Sequence, residues 1–414
     1  LALIYGLRRV VNFAHGSLYM LGVYMAYSVA THVGGALGFW GGVVVAGLAV
    51  ALIGLIAELL ILRRIYDAPE LLQLIATFAL VLIIKDAALL IWGPEDLLGP
   101  RAPGFTGAID IFGKAFPTYD LLLIVLGVLM LFALTMLLKK TRFGLLLRAA
   151  TQDREMSDAL GVNQKLLFTA VFALGSFLAG IGGALQLPRE PANLAMDLTI
   201  IADVFVVVVV GGLGSLTGAF VVEIILSLVE SYWIGAGDVT LFGVEFAFSK
   251  LTLVAEFVVM ALVLVFKPHG FFGKPITHAR TAAVIGPLLR PLGRGAWLAA
   301  ALLACVMGLL PLATGDYALV LAVDMMVFAL FAASLGLVIG PGGMGSFGHA
   351  AYFGLGAYGA ALAVMAGLGF FAAMAGGVLL AGGAALVFGW FSVRLSWTYM
   401  AMLTLAFAQI TWSI

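Results

Sequence analysis

Two histidines stand in matching settings and are the first residues of this 414-residue chain whose chemistry invites a role. His15 lies in NFAHGSLYMLGVYMA (12–26) and His349 in SFGHAAYFGLGAYGA (346–360). An imidazole inside an apolar helix could relay a proton, hold a metal or gate a path, because ionisable groups in a membrane are costly and so functional candidates by default. Metal is the poorest fit. A site needs further His, Cys or carboxylate ligands, and none clusters beside either histidine. Each ring falls at a helix start, where it can bond backbone groups freed by the helix end. A structural role is therefore favoured, with gating as the alternative. Asp203, Glu223, Glu230 and Asp324 also fall in or near apolar runs. A carboxylate at the bilayer centre costs about 2.5–3.5 kcal/mol on insertion scales, so some of these should face the protein interior or a water-filled path. Asp203 and Asp324 join His15 and His349 as candidate pathway residues. No catalytic constellation stands out. There is no GxxxxGK[ST] phosphate loop, so this chain does not hydrolyse ATP. Neither a Ser-His-Asp nor an HExxH pattern appears, and no cofactor is expected.

A second group of candidates is the charged segment 139–165, KKTRFGLLLRAATQDREMSDALGVNQK. Within it, 153–160 reads as a short amphipathic helix, with Met156, Ala159 and Leu160 on one face and Asp153, Arg154 and Asp158 elsewhere. Gly161 fits a helix stop. A folded helix with an apolar face can dock into another protein's groove. The plainer reading, a solvated basic loop, carries equal weight on these residues alone.

The elements that must position these residues are membrane helices. The chain is 64% hydrophobic and 10% charged, with a mean hydropathy of +1.17. Soluble domains run about 45–50% apolar and about 25% charged, so the composition excludes a water-soluble fold. The apolar runs are continuous and rich in Leu, Ala and Val, of the ~20 residues that a spanning helix needs. Barrel strands would alternate over ~10 residues. The fold class is therefore an all-α polytopic membrane protein, with about 12–13 membrane segments. The runs at 199–210 and 216–234 flank GGLGS (211–215) and are near or below spanning length, so short or broken segments are expected, tolerated where they line a protein cavity. Net charge is zero and gives no sign of a nucleic-acid partner. The lone Cys305 excludes an internal disulfide. The chain begins and stops inside hydrophobic runs and lacks an initiator Met, and is expected to be truncated at both ends.

The two histidine motifs agree at six of fifteen positions without a gap, among them Phe13/Phe347, Leu21/Leu355, Gly22/Gly356 and Tyr24/Tyr358. A repeat so widely spaced is no solenoid; it marks two related halves. Gly16, Gly22 and Gly356 are expected to allow close helix packing. Basic residues fix the orientation. Segment 139–165 holds six basic residues against three acidic, and 267–295 holds Lys267, Lys274, Arg280, Arg290 and Arg294 with no acid. Both are expected to be cytoplasmic, with 93–118 outside. Both histidine motifs then enter from the cytoplasmic side, so the halves are parallel repeats. The expected organisation is one half at 1–266, a basic linker at 267–295 and a second half at 296–414.

The combination of motifs is specific. RFGLLLRAATQDREMSDALGV resembles the coupling loop of ABC-importer permeases. YGLRRVVNFAHGSLYMLGVYMA, VVVVVGGLGSLTGAF (206–220) and FKPHGFFGKP (266–275) resemble the H-type permease subunit of branched-chain amino acid (Liv-type) importers. From about 296 the chain is similar to the M-type subunit, through GGMGSFGHAAYFGLGAYGAAL (342–362) and SWTYMAMLTLAFAQI (396–410). The resemblance implies a fused permease of the bacterial cytoplasmic (inner) membrane. Its partners would be two ABC ATPase subunits, an extracytoplasmic substrate-binding protein and the surrounding membrane lipid. Its substrate would be leucine, isoleucine or valine, with urea, short amides or aromatic acids as alternatives. Arg142, Phe143, Gly144, Arg148, Asp153, Glu155 and Gly161 would form the ATPase-coupling loop. Two departures stand out: Leu145 and Leu146 follow Gly144 where a basic residue is common, and the chain ends before an M-type coupling loop. The competing class is a self-contained secondary transporter or channel of parallel repeats, which has no use for a docking helix at 153–160.

Overall fold

The computed structural model describes residues 12–66, 68, 70–236, 238–241, 244–273, 293–313, 315–395 and 397–413. Residues 1–11, which carry the start of the YGLRRVVNFAHG motif, and most of the basic linker, including Lys274, Arg280 and Arg290, lie outside the described residues. The Leu/Ala/Val runs form helices, as a backbone without water to bond must. Among the described residues seven helices are long and apolar enough to cross a membrane, and two shorter ones are equally apolar. Among the described residues thirteen helices run to sixteen residues or more. The chain divides into two compact units.

The first unit comprises the chain to Gly237 together with His269–Lys274. Its helices are α1 (Ala14–Val33), α2 (Gly35–Ala57), α3 (Glu70–Trp92), α4 (Thr118–Lys140), α5 (Arg142–Gln152), α6 (Arg154–Ala159), α7 (Gln164–Gln186), α8 (Met196–Gly211) and α9 (Leu216–Ala236). Helix α1 is the hub and packs against α2, α3, α7 and α8. Leu18, Met20, Val23 and Tyr24 are fully buried there. Small residues set the helix spacing. A Cβ on Gly22 would run into the backbone of Gly180 on α7, and one on Gly16 into the carbonyl of Asp197 on α8. The polar stretch after α3 holds a small hairpin, β1 (Ala108–Ile111) and β2 (Lys114–Pro117), and a bridge between Leu97 and Ala192.

Helix α2 does not end cleanly. It widens into a π-turn at Glu58–Leu62 before a last turn at Arg63–Ile65. Farther along, two motifs distant in sequence meet. Phe271 N–H donates to Val210 O (2.9 Å) and Phe272 N–H to Gly211 O (3.2 Å), so HGFFG at 269–273 closes over the GGLG turn. Gly212 and Gly270 both have φ in the left-handed region, +100° and +73°, and they touch.

The second unit holds a hairpin of β3 (Asp238–Leu241) and β4 (Val244–Ala247) and the helices α10 (Phe248–Phe266), α11 (Arg294–Ala313), α12 (Asp316–Ile339), α13 (His349–Met365), α14 (Phe370–Ser392) and α15 (Trp397–Ser413). α13 packs on α14, and α10 on α15. Gly356 departs from expectation. A Cβ there would have ordinary room, its nearest atoms at 3.9 Å, because the close approach is made by Gly377, whose own Cβ would lie 2.5 Å from the Gly356 carbonyl.

Candidate functional site

The loop between α4 and α7 is built by local rules. Thr141 caps α5: its hydroxyl accepts from Gly144 N–H (3.2 Å). Leu147 and Ala150 are buried one turn apart, while Arg142, Leu145, Leu146 and Arg148 are exposed and Phe143 is half-buried. Gly144 is buried, and a Cβ there would strike the backbone of Leu138, so this glycine makes the tight corner from α4 into α5. Asp153 caps α6, its carboxylate accepting from Met156 N–H (2.9 Å). Gly161 ends the turn at φ +81°, with Val162 N–H donating back to Ser157 O (3.1 Å). Asn163 then caps α7 through Leu166 N–H (3.1 Å). The helix expected at 153–160 is thus present as Arg154–Ala159 with Asp153 as its cap. Ser157 faces inward, whereas Met156 (59% exposed) and Leu160 (77%) face outward beside exposed Glu155. Helix α5 was not anticipated, although Thr141 three residues before Gly144 is a readable cap signal.

Two of the pathway candidates, His15 and Asp203, lie in the first unit and two, Asp324 and His349, in the second. His15 is half-buried on the first turn of α1, and Phe13 beside it meets Phe205 of α8 edge-on at 5.1 Å. Asp203 is half-buried on α8, and Glu223 is exposed on α9. In the second unit Asp324 is exposed on α12, while His349 Nε2 lies 2.7 Å from Ser334 Oγ with its ring against Phe331. Among the described residues no group of three or more His, Cys, Asp or Glu could hold a metal.

Two buried polar groups of the first unit were missed. Glu58, fully buried in the π-turn, accepts from Thr169 Oγ1 (2.8 Å) and Tyr66 OH (3.3 Å) and pairs with Arg63 (3.8 Å). Arg63 also donates to Thr169 Oγ1 (2.9 Å), which ties the foot of α2 to α7. Asp197, 1% exposed on the first turn of α8, lies 3.8 Å from Lys85 Nζ of α3 and accepts from Leu198 N–H (2.8 Å). The detectable signal was a carboxylate beside an apolar run, the same signal that singled out Asp203.

Helices of spanning length with buried charges between them are the architecture of a polytopic membrane protein. Residues 1–267 match the family described as "Branched-chain amino acid transport system / permease component", and the chain belongs to that family. It is 26% identical over 288 residues to the "High-affinity branched-chain amino acid transport system permease protein BraD" of Pseudomonas aeruginosa, covering 66% of this chain and 89% of that protein. It is 29% identical over 291 residues to the "Probable branched-chain amino acid transport permease protein LivH" of Methanocaldococcus jannaschii, covering 66% and 86%. The "Nucleoside ABC transporter permease protein NupC" of Lactococcus lactis is 28% identical over 170 residues, covering 41% and 51%. No solved structure matches the chain significantly.

Proposed function

We propose that the chain is the membrane-embedded subunit of an ATP-driven importer for branched-chain amino acids, with H-type and M-type halves fused. An extracytoplasmic binding protein delivers the substrate. ATP binding closes two ATPase subunits, which move the loop at 139–165, and the membrane helices rock to open the pathway to either side. The chain itself is not an enzyme. It lies in the bacterial inner membrane, with 139–165 and 267–295 on the cytoplasmic side and the halves at 1–266 and 296–414 entering in parallel.

The observation that carries this reading is helix α6. Its ends are fixed by Asp153 and Gly161, its inner face by Ser157, and it still holds Met156 and Leu160 outward. An apolar pair held rigidly in a polar loop is what an ATPase groove would grip, and Arg142 and Arg148 stand exposed on α5 for acidic partners. The substrate assignment is supported by the names of BraD and LivH, and the name of the nucleoside permease says that a related chain carries other cargo.

The test is co-purification of the full chain with its ATPase subunits. Met156→Asp with Leu160→Asp should cut ATPase retention about tenfold or more, the loss expected when an anchoring apolar contact is replaced by a desolvated charge. Arg148→Glu should weaken it in a salt-dependent way. Full retention by the double variant, or uptake that needs no ATP, would contradict the proposal and favour a self-contained transporter.

A further inference from the structure

The missed carboxylate Asp197 is the most unusual group in the first unit. Its Oδ1 is engaged by Leu198 N–H and faces Lys85 Nζ, but its Oδ2 is buried without a partner. Two further buried hydroxyls without a partner belong to α1: Ser17 Oγ and Tyr24 OH, both residues at 0% exposure. Ser17 lies against the Asp197 carboxylate without good hydrogen-bond geometry, and the Tyr24 hydroxyl is within electrostatic reach of Asp96 first and Asp197 second. A buried polar atom left unmatched costs about 1–3 kcal/mol, so three in one neighbourhood are not retained for packing alone.

Depth points the same way. Trp92 Nε1 donates to Ser28 Oγ (2.7 Å) where α3 gives way to the polar loop, the place of an interfacial tryptophan. Ser17 is eleven residues earlier on α1, about 16 Å along the helix. That is roughly half of a hydrocarbon core of about 30 Å, so on this placing the first histidine motif begins inside the membrane and not at the cytoplasmic entry expected for it. Helix α8 starts at this depth, after the non-helical stretch 187–195. Helices that begin inside a membrane are tolerated where they line a pathway, and in other transporters their ends meet the substrate.

We propose that Asp197, Lys85, Ser17 and Tyr24 form a binding station for the zwitterionic head of an α-amino acid, reached part-way through translocation; this rests on the importer reading above. The Lys85–Asp197 pair is loose, at 3.8 Å. A zwitterion carries the two charges these side chains now present to each other, so it can enter between them and leave neither ion unpaired. Its ammonium bonds Asp197 Oδ2. Its carboxylate takes Lys85 Nζ and the hydroxyls of Ser17 and Tyr24.

The experiment measures uptake of radiolabelled leucine by cells carrying the full chain with its partner subunits, per molecule of chain in the membrane. Asp197→Asn should lower uptake about tenfold or more, the effect of losing one charge-assisted hydrogen bond, while ATP hydrolysis stimulated by the loaded binding protein persists. Tyr24→Phe keeps the stack on Trp92 (5.0 Å) and removes only the hydroxyl, so it should lower uptake about three- to tenfold. Uptake by both variants within twofold of the wild type overturns the station and leaves the importer reading standing. If Asp197→Asn fails to accumulate, Tyr24→Phe decides by the same criterion. A wild type that takes up no leucine at the expense of ATP overturns both.

Discussion

Glu58 and Asp197 illustrate two uses of a buried carboxylate. Glu58 is saturated: Thr169, Tyr66 and Arg63 all address it, and the π-turn aims it at α7. π-turns inside helices recur at functional sites, and this one stands at the foot of α2 near the loop at 139–165. Asp197 is only half satisfied, which suits a group that exchanges partners. Glu58→Ala should therefore act mainly on stability. It removes the acceptor of Tyr66 OH and one acceptor of Thr169 Oγ1, while Arg63 keeps Thr169 and Lys165 O, a loss of about 1–3 kcal/mol. The check is a thermal melting curve of the purified chain in detergent, with a midpoint lower by several degrees. An unchanged midpoint would mean that the network is dispensable. Both carboxylates were hard to find in the sequence. Glu58 precedes LLIL and Arg63–Arg64 and reads as part of a helix end. Asp197 lies two residues before the apolar run at 199–210, so it reads as loop, whereas the neighbouring helix in fact captures it as a first-turn acid.

At the scale of elements, capping and close contact decide. The α6 turn was legible because its signals are local: Gly161 after it and apolar positions spaced on one face, although Asp153, read as its first residue, proves to be its cap. The closure of 269–273 over the turn after α8 was not, although both motifs were noticed, because hydrogen bonds from Phe271 and Phe272 to Val210 and Gly211 join segments some sixty residues apart and leave no periodic trace. Two glycines test the packing. Gly22→Leu drives a side chain into the Gly180 backbone between α1 and α7, where neither helix can yield. Overpacking of this kind costs about 1–3 kcal/mol or more, and the variant should give little monodisperse protein by size-exclusion chromatography. Gly144→Ala should disturb the α4–α5 corner by striking Leu138, and so reduce ATPase retention without any change of surface charge. Retention at the wild-type level would show that the corner bends freely.

At the scale of the whole chain, composition alone was sufficient for the class. A chain 64% apolar must bury itself in lipid, and it does so as helices with only two small hairpins among the described residues. The family match at 1–267 agrees with the branched-chain amino acid permease resemblance read there. The pathway was less legible, because pathway residues are defined by which helices meet. His15, Asp203, Asp324 and His349 were chosen one run at a time, while Lys85 and Asp197 gain meaning only when α3 and α8 are placed beside α1. The central claim is that this chain moves amino acids at the expense of ATP hydrolysed by separate subunits gripping α6. The most direct test reconstitutes the full chain in proteoliposomes with its binding protein, with and without the ATPase subunits, and follows leucine. The account predicts accumulation only with ATPase subunits and ATP present, lost in the Met156→Asp, Leu160→Asp variant. Equal accumulation by the chain alone, driven by an ion gradient, would contradict it.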